Sequence, residues 1–273
     1  MRMVASDLDG TIVRPDGTVS ARTVAALEAC ERAGVRVVFV TGRPPRWMAT
    51  IAQATGHHGV AVCANGAVVY DVAAERVLST RGVPVEDVRG IVRAVRAAVP
   101  GGALALETVH GFRREPGYVP RWPGSEGPVG ELDELLADEP VVLKVLYRLE
   151  GGAVDDMLAA ARTALDGLAE PVHSDATDCL LEIAAPGVSK ASTLALLAEQ
   201  AGLGPQDVVA FGDMPNDVPM LRWAGIGVAV AGAHPEALTA AAVVAPSCAD
   251  DGVAQVLERL LAGRPAVPDG TSR

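Results

Sequence analysis

Two aspartates separated by one residue, Asp7 and Asp9, follow the apolar segment 1–5 and precede a glycine. Side chains at positions i and i+2 of an extended segment point the same way, so both carboxylates can face one small volume. Open α/β sheets bind ligands at the carboxyl ends of their strands, which is where this pair falls. Asp and Gly are also common turn formers. The pair alone therefore leaves catalysis and a surface turn both open.

Other polar residues occupy equivalent places further along the chain. Thr41 follows the apolar run 35–40, Asp213 follows the apolar run 208–211, and Lys190 begins a helical pattern. Each has an ordinary structural interpretation when taken singly, such as a helix cap, a loop residue or a solvated lysine. Because the carboxyl ends of parallel strands meet at one edge of a sheet, we expect these side chains to converge on the two aspartates.

Composition limits the classes of protein to consider. Of the 273 residues, 49% are hydrophobic but only 3% are aromatic, which favours a core of buried parallel strands flanked by aliphatic helices. The formal net charge of -11 argues against nucleic acid or an anionic membrane as the main partner. The longest apolar runs are well short of the roughly 20 residues that span a bilayer, so a cytoplasmic location is expected.

The order of the elements predicts an α/β fold: a Rossmann-like parallel-sheet core with an inserted α+β cap domain. Residues 1–83 and 187–262 alternate strands with helices, as right-handed crossovers in one core sheet require. Residues 84–186 break that alternation and suit a separate domain. Residues 263–273, rich in Pro and Gly, are expected to be disordered. Residues 12–19 have the pattern of a hairpin that would form a flap beside the aspartates.

Four short motifs occur in a specific order along the chain. They are Asp7-Leu8-Asp9-Gly10-Thr11, Thr41-Gly42-Arg43, Ser189-Lys190 and Gly212-Asp213-x-x-Asn216-Asp217. In this combination the chain closely resembles the haloacid dehalogenase superfamily of phosphatases. Since the inserted domain lies between the second and third motifs, the chain is most similar to the Cof-type branch. The resemblance extends over residues 1–261.

The resemblance implies a covalent mechanism and a magnesium site. Asp7 would be the nucleophile that becomes an aspartyl phosphate, and Asp9 would be the general acid and base. Mg²⁺ would bind the Asp7 carboxylate, the Asp9 backbone carbonyl and the Asp213 carboxylate. Asn216 and Asp217 would support this metal site.

The resemblance also implies how the phosphoryl group is held. Thr41, the Gly42 amide and the Lys190 ammonium would bind its equatorial oxygens. An alternative role for Asp217 is a pair with Lys190 rather than support of the metal.

Several residues are candidates for contacts with the rest of the substrate. Arg43 and Asn65 have ordinary alternatives as a helix-start residue and a turn former. The irregular stretch 110–130 carries further basic residues, which could equally form a solvated basic loop. The possible substrate contacts are Arg43, Asn65, Arg113, Arg114 and Arg121.

The leading hypothesis is that the protein is a Mg²⁺-dependent phosphatase of small phosphorylated metabolites. Within that class, sugar phosphates are the favoured substrates. An inserted domain of about a hundred residues would close over a small substrate and obstruct a folded phosphoprotein. A phosphatase of a phosphorylated cofactor, such as pyridoxal phosphate or a flavin-pathway intermediate, would place Phe112, Tyr118 or Trp122 near the ligand. A phosphomutase would share the aspartates but exclude water. A non-enzymatic phosphate sensor is disfavoured, because nucleophile, acid and metal ligand are all present.

Overall fold

A computed structural model describes residues 1–121, 125–138 and 141–266 of the chain. The chain divides into two compact units, Met1–Ser79 with Lys190–Arg273, and Thr80–Ser189. We refer to them as the core unit and the inserted unit. The inserted unit begins and ends a few residues outside the range 84–186 that the sequence suggested. The predictions for Trp122 and for residues 267–273 of the predicted disordered tail 263–273 lie outside the described residues. Residues 263–266 of that tail are described, and the Arg264 backbone N–H donates to the Arg259 carbonyl oxygen at 2.9 Å.

The first segment of the core unit alternates strands and helices. Helix α1 begins where the Ser20 side chain accepts a hydrogen bond from the Thr23 backbone N–H, and α2 ends at Gly56 in the left-handed conformation. The elements are β1 (Met3–Ser6), α1 (Ala21–Arg32), β2 (Arg36–Val40), α2 (Met48–Thr55), β3 (Val60–Cys63), β4 (Val68–Asp71) and β5 (Arg76–Thr80).

The inserted unit is an antiparallel sheet with two longer helices. Its elements are β6 (Val83–Pro84), α3 (Val85–Ala98), β7 (Ala103–Thr108), β8 (Gly111–Arg114), α4 (Leu132–Leu135), β9 (Val141–Arg148), α5 (Val154–Ala164), β10 (Glu170–Val172) and β11 (Leu180–Ala184). The strands lie in the order β10-β11-β9-β7-β8, and β6 pairs with β9. The prediction of an irregular stretch from residue 110 was wrong at β8, where Phe112 is buried against Tyr118.

The second segment of the core unit returns to alternating helices and strands. Its elements are α6 (Lys190–Gln200), β12 (Val208–Gly212), α7 (Val218–Trp223), β13 (Ile226–Val230), α8 (Pro235–Ala240), β14 (Val243–Ala245) and α9 (Gly252–Leu261). None of the helices in the described part of the chain combines the length and apolarity needed to cross a membrane.

The core sheet confirms the predicted α/β class and sets the position of the site. Its order is β14-β13-β12-β1-β2-β3-β4-β5, and the strands from β14 to β3 run parallel. Strand β4 is antiparallel to β3, and β5 follows it at the edge of the sheet; neither strand was predicted from the sequence. Strand β1 lies between β12 and β2. The residues that follow these three strands therefore meet at one edge of the sheet.

The predicted hairpin at residues 12–19 was wrong. These residues, all of them described, form turns with a single bridge between Asp9 and Val13 rather than paired strands. The Asp16 side chain accepts hydrogen bonds from both the backbone N–H and the hydroxyl of Thr18. This local capping closes a short turn and satisfies polar groups that strand pairing would otherwise use.

Candidate active site

Asp7 lies directly after β1 and is held by the neighbouring strand. Its backbone N–H donates to the Phe211 carbonyl oxygen at 3.0 Å, which extends the β1 and β12 pairing by one residue. Its carbonyl oxygen accepts a hydrogen bond from Ser6 Oγ at 2.8 Å. The side chain is buried. The strand ladder therefore fixes the carboxylate in the interior of the core unit.

Lys190, the first residue of α6, connects two acids. Its Nζ lies 2.6 Å from Asp7 Oδ1 and 2.7 Å from Asp217 Oδ1. Only 1% of the residue is exposed. Burial acts to lower the pKa of Lys190, but Asp217 and Asp7 outweigh it and hold that pKa above its usual range. The lysine is thus a permanent buried cation between the two carboxylates.

Asp217 has hydrogen-bond donors at both carboxylate oxygens. Oδ1 accepts from Lys190, and Oδ2 accepts from the backbone N–H groups of Asp213 and Met214, each at 3.0 Å. Of the two roles that the sequence left open for Asp217, the contacts match the pair with Lys190. The same hydrogen bonds fix the loop that carries Asp213.

Asp213 approaches the turn after the first two aspartates. Its Oδ1 accepts a hydrogen bond from Thr11 Oγ1 at 3.0 Å. A Cβ atom at Gly10, whose φ is +80°, would overlap Asp213 Oδ2, so this position needs glycine for both its conformation and its space. Burial, together with repulsion from Asp217, raises the pKa of Asp213 to about 7.

The carboxylates fit a magnesium ion. One oxygen from each of Asp7, Asp213 and Asp217 lies within 4.8 Å of the others. Burial, with repulsion from Asp217 and Asp213, raises the pKa of Asp7 well above its usual range in spite of Lys190. Asn216 Oδ1 is buried without a hydrogen-bond partner among the described residues. Oxygen donors and uncompensated negative charge are what Mg²⁺ requires.

Asn65 orients the Asn216 amide. Its Oδ1 accepts a hydrogen bond from Asn216 Nδ2 at 3.1 Å, and both residues are buried. Asn65 adopts the left-handed conformation, with φ +56°, in the turn after β3. These contacts give Asn65 a part in holding the acidic loop. Its role as a substrate contact stays a prediction.

The segment Thr41-Gly42-Arg43 follows β2, the strand next to β1. The Thr41 carbonyl oxygen accepts from the Asn65 backbone N–H at 3.0 Å, and Thr41 Oγ1 accepts from the Arg43 backbone N–H at 3.0 Å. The Arg43 carbonyl oxygen in turn accepts from the Ala64 N–H at 2.9 Å. The turn after β3 therefore holds this segment in place at the end of β2.

The Arg43 side chain pairs with Asp9. Its Nε lies 2.8 Å from Asp9 Oδ2 and its Nη2 lies 2.5 Å from Asp9 Oδ1, which is a two-point contact. Hydrogen bonding to Asp9 raises the pKa of Arg43 despite partial burial. This pair could not be predicted from the sequence, because nothing in the spacing of residues 34 positions apart indicates it.

The predicted substrate contacts of the inserted unit bind groups of that same unit. Each of these arginines donates hydrogen bonds to carbonyl oxygens or carboxylates nearby, which gives it a structural part. Its role in substrate binding stays a prediction. The contacts are Arg113 with the carbonyl oxygens of Leu135 and Ala137, Arg114 with those of Glu115 and Tyr118, and Arg121 with the carboxylates of Glu150 and Asp178.

The inserted unit also contains buried ion pairs that the sequence analysis did not single out. Arg148 pairs with both carboxylate oxygens of Asp178, and Lys144 pairs with Glu182. All four residues are buried. The available signal was two cations on one face of the otherwise apolar strand β9, at positions four residues apart.

Comparisons with known proteins agree with this arrangement. A family model described as haloacid dehalogenase-like hydrolase matches residues 4–257. A pyridoxal phosphate phosphatase from Escherichia coli K12 is 27% identical over 94% of this chain and 97% of its own. A phosphoglycolate phosphatase from Methanopyrus kandleri is 29% identical over 95% and 97%. A haloacid dehalogenase-like hydrolase from B. subtilis has the same fold, with a TM-score of 0.81 at 24% identity over 95% of this chain and 100% of its own.

Proposed function

The chain belongs to the haloacid dehalogenase-like hydrolase family, and we propose that this phosphoric monoester hydrolase acts through an aspartyl phosphate on Asp7. The observation that carries the proposal is the buried acid cluster around Lys190, whose Nζ lies 2.6 Å from Asp7 Oδ1. A carboxylate held by a buried cation, with a second acid two residues along the chain, has the parts needed for a nucleophile and a proton carrier.

In the first step a carboxylate oxygen of Asp7 forms a bond to phosphorus. The bond between phosphorus and the alcohol oxygen breaks, and Asp9 gives its proton to that oxygen. The products are the free alcohol, an aspartyl phosphate and an ionised Asp9. Lys190 remains protonated and keeps the nucleophile in place throughout.

In the second step a water molecule attacks the phosphorus of the aspartyl phosphate and loses a proton to Asp9. The bond between phosphorus and the Asp7 oxygen breaks, which releases inorganic phosphate. Both aspartates return to their starting states. Thr41, the Gly42 amide and Lys190 would bind the phosphoryl oxygens, where preorganised donors stabilise the charge that develops.

The cofactor in this proposal is Mg²⁺. Asp7, Asp213 and the Asp9 carbonyl would bind it, with Asn216 in support, and Asp217 would hold Lys190 and the loop. When bound, the ion neutralises carboxylate charge and polarises the phosphoryl oxygens. The raised pKa values of Asp7 and Asp213 support a cation here, because a nearby positive charge favours the ionised acids.

We propose that the substrate is a small phosphorylated metabolite, and a sugar phosphate is the first candidate. The described aromatic candidates for an aromatic ligand, Phe112 and Tyr118, are buried against each other with ring centroids 5.7 Å apart. That packing favours a polar ligand over an aromatic one. A phosphorylated cofactor is the second candidate, since one relative is named a pyridoxal phosphate phosphatase.

A phosphate-release screen tests the proposal. The panel contains sugar phosphates, pyridoxal phosphate and phosphoglycolate, each assayed with Mg²⁺ and with EDTA. We expect release from at least one compound with Mg²⁺ and loss of that activity with EDTA. Full activity in EDTA would contradict the metal role. A product that is an isomeric phosphate ester, with no free phosphate, would identify a mutase instead.

A further inference from the structure

We propose that Arg43 is the positioning residue for Asp9. In this role its guanidinium contacts both oxygens of the ionised Asp9 carboxylate, and so sets the side-chain orientation from which Asp9 exchanges a proton with the leaving oxygen. The inference rests on the proposed function, because it takes Asp9 as the proton carrier.

The geometry of the pair supports positioning. The Arg43 fork meets both oxygens of Asp9, at 2.8 Å and 2.5 Å, and so fixes the plane of the carboxylate as well as its distance. The Asp9 side chain is 55% exposed, whereas that of Arg43 is 21% exposed. A pair with this much exposure adds little to stability. Its effect is therefore on the orientation of Asp9.

Asp9 needs such a partner because more than half of its side chain is exposed. Among the described residues, Arg43 is the side chain that donates to this carboxylate. An exposed aspartate would otherwise exchange among rotamers. Proton transfer depends on the carboxyl group being directed at the oxygen that leaves, and small errors in such placement lower rates strongly.

The backbone of Arg43 is held by hydrogen bonds of its own, so its side chain can fix the orientation of Asp9. Its backbone N–H donates to Thr41 Oγ1 at 3.0 Å, and its carbonyl oxygen accepts from the Ala64 N–H at 2.9 Å. The same segment carries Thr41, the proposed phosphate ligand. The segment after β2 would thus position the phosphoryl group through Thr41 and the acid–base carboxylate through Arg43.

The test compares leaving groups in Arg43→Gln and Arg43→Lys. The value of kcat/KM is measured with an aryl phosphate, whose leaving group needs little protonation, and with the best alkyl phosphate from the screen. We expect Arg43→Gln to lose about 10- to 100-fold on the alkyl ester and about 3-fold or less on the aryl ester, because misplacing the acid removes only part of the roughly 10²- to 10⁴-fold that general acid catalysis contributes. Arg43→Lys should recover only part of the loss, because an ammonium cannot make the two-point contact.

A double variant links the effect to Asp9. If Arg43 acts through Asp9, Arg43→Gln should change the alkyl kcat/KM of the Asp9→Asn enzyme by less than about 2-fold, since coupled residues are not additive. Arg22→Gln is the matched control. Arg22 makes the same kind of two-point contact with Glu258, at 2.8 and 2.7 Å on the surface of the core unit, and its loss should leave both rates unchanged.

Two results would overturn the inference. Equal losses on the aryl and alkyl esters, carried by KM, would make Arg43 a substrate contact. Losses that multiply in the double variant would make Arg43 and Asp9 independent. The proposed function fails separately: if Asp9→Asn alone retains wild-type kcat/KM on alkyl phosphates, Asp9 is not the acid, whatever Arg43 does.

Discussion

Lys190 in the core unit and Arg148 in the inserted unit are both buried cations, but their surroundings are opposite. Lys190 contacts two carboxylates, those of Asp7 and Asp217. Arg148 pairs with both oxygens of Asp178, and that carboxylate also accepts a hydrogen bond from Arg121. Two acids share one cation in the first cluster. In the second, the buried acid Asp178 accepts from two guanidinium groups, of which Arg121 also contacts the exposed Glu150.

This difference separates the proposed catalytic site from a structural cluster. The Asp178 cluster has its negative charge satisfied by two guanidinium groups, as buried ion pairs in a stable core require. The Lys190 cluster retains an excess of carboxylate, and burial together with repulsion among these acids raises the pKa values of Asp7 and Asp213. An excess of this kind is tolerated where a cation binds. Imbalance of charge, rather than burial of charge, distinguishes the proposed catalytic centre.

The largest effect should come from Asp7→Asn. The carboxamide is nearly the same size but is a poor nucleophile, so we expect kcat to fall by about 10⁴-fold or more, as when other enzymes lose their nucleophile. Phosphate release and circular dichroism measure activity and folding together. A correctly folded variant that keeps a few per cent of wild-type activity would refute covalent catalysis by Asp7.

The matched change in the other cluster, Asp178→Asn, should affect stability instead. It leaves the buried Arg148 without a carboxylate, and we expect a loss on the order of 3 kcal/mol in the free energy of unfolding. Urea unfolding measures this loss, and phosphate release from a small ester at 25 °C should persist. If Asp178→Asn were as stable as the wild type, the contrast between the two clusters would be wrong.

A smaller effect should appear at Asp213 in metal-free protein. Folding raises the pKa of this carboxyl from 3.8 to about 7. Its contribution to stability is therefore complete below about pH 4 and is lost as pH rises through 7. We expect Asp213→Asn to gain stability relative to the wild type between pH 5 and pH 8 in EDTA, by at least about 1.4 kcal/mol, the equivalent of one pKa unit.

Thermal unfolding at the two pH values, with and without Mg²⁺, measures this prediction. Mg²⁺ should stabilise the wild type more at pH 8 than at pH 5, because the acids are then ionised and can bind it. It should stabilise Asp213→Asn little at either pH. A stability difference between the two proteins that does not change with pH would show that Asp213 does not carry the excess charge.

Local signals make several element boundaries predictable from sequence. Ser20 marks the start of α1, Gly56 marks the end of α2, and largely apolar runs mark the parallel strands. The convergence of polar residues followed from strand topology alone. Strand β8 was missed because Phe112 is an isolated apolar residue between glycine and arginines. The hairpin at 12–19 was wrong because a local side-chain turn competed with strand pairing.

Side-chain pairing could not be predicted in the same way. The contact of Arg43 with Asp9 joins residues 34 positions apart, and that of Arg148 with Asp178 joins residues 30 apart. Which carboxylate each guanidinium meets depends on the relative placement of whole elements and on rotamers. Neither the placement of elements nor the choice of rotamer produces a periodic pattern in the sequence. The order of the motifs identified the residues of the proposed site. Only the coordinates show that Lys190 contacts two carboxylates and that Asp178 accepts from two guanidinium groups.

Trapping the proposed intermediate tests the central claim most directly. Enzyme turning over its best substrate is quenched and treated with borohydride, which reduces an aspartyl phosphate to homoserine. Trypsin then releases the peptide 3–22, because the bond between Arg14 and Pro15 resists cleavage, and this peptide contains both Asp7 and Asp9. Tandem mass spectrometry assigns the modified position. We predict homoserine at residue 7, only when substrate is present and not in Asp7→Asn. Homoserine at residue 9, or active turnover with no modified aspartate in that peptide, would contradict the account.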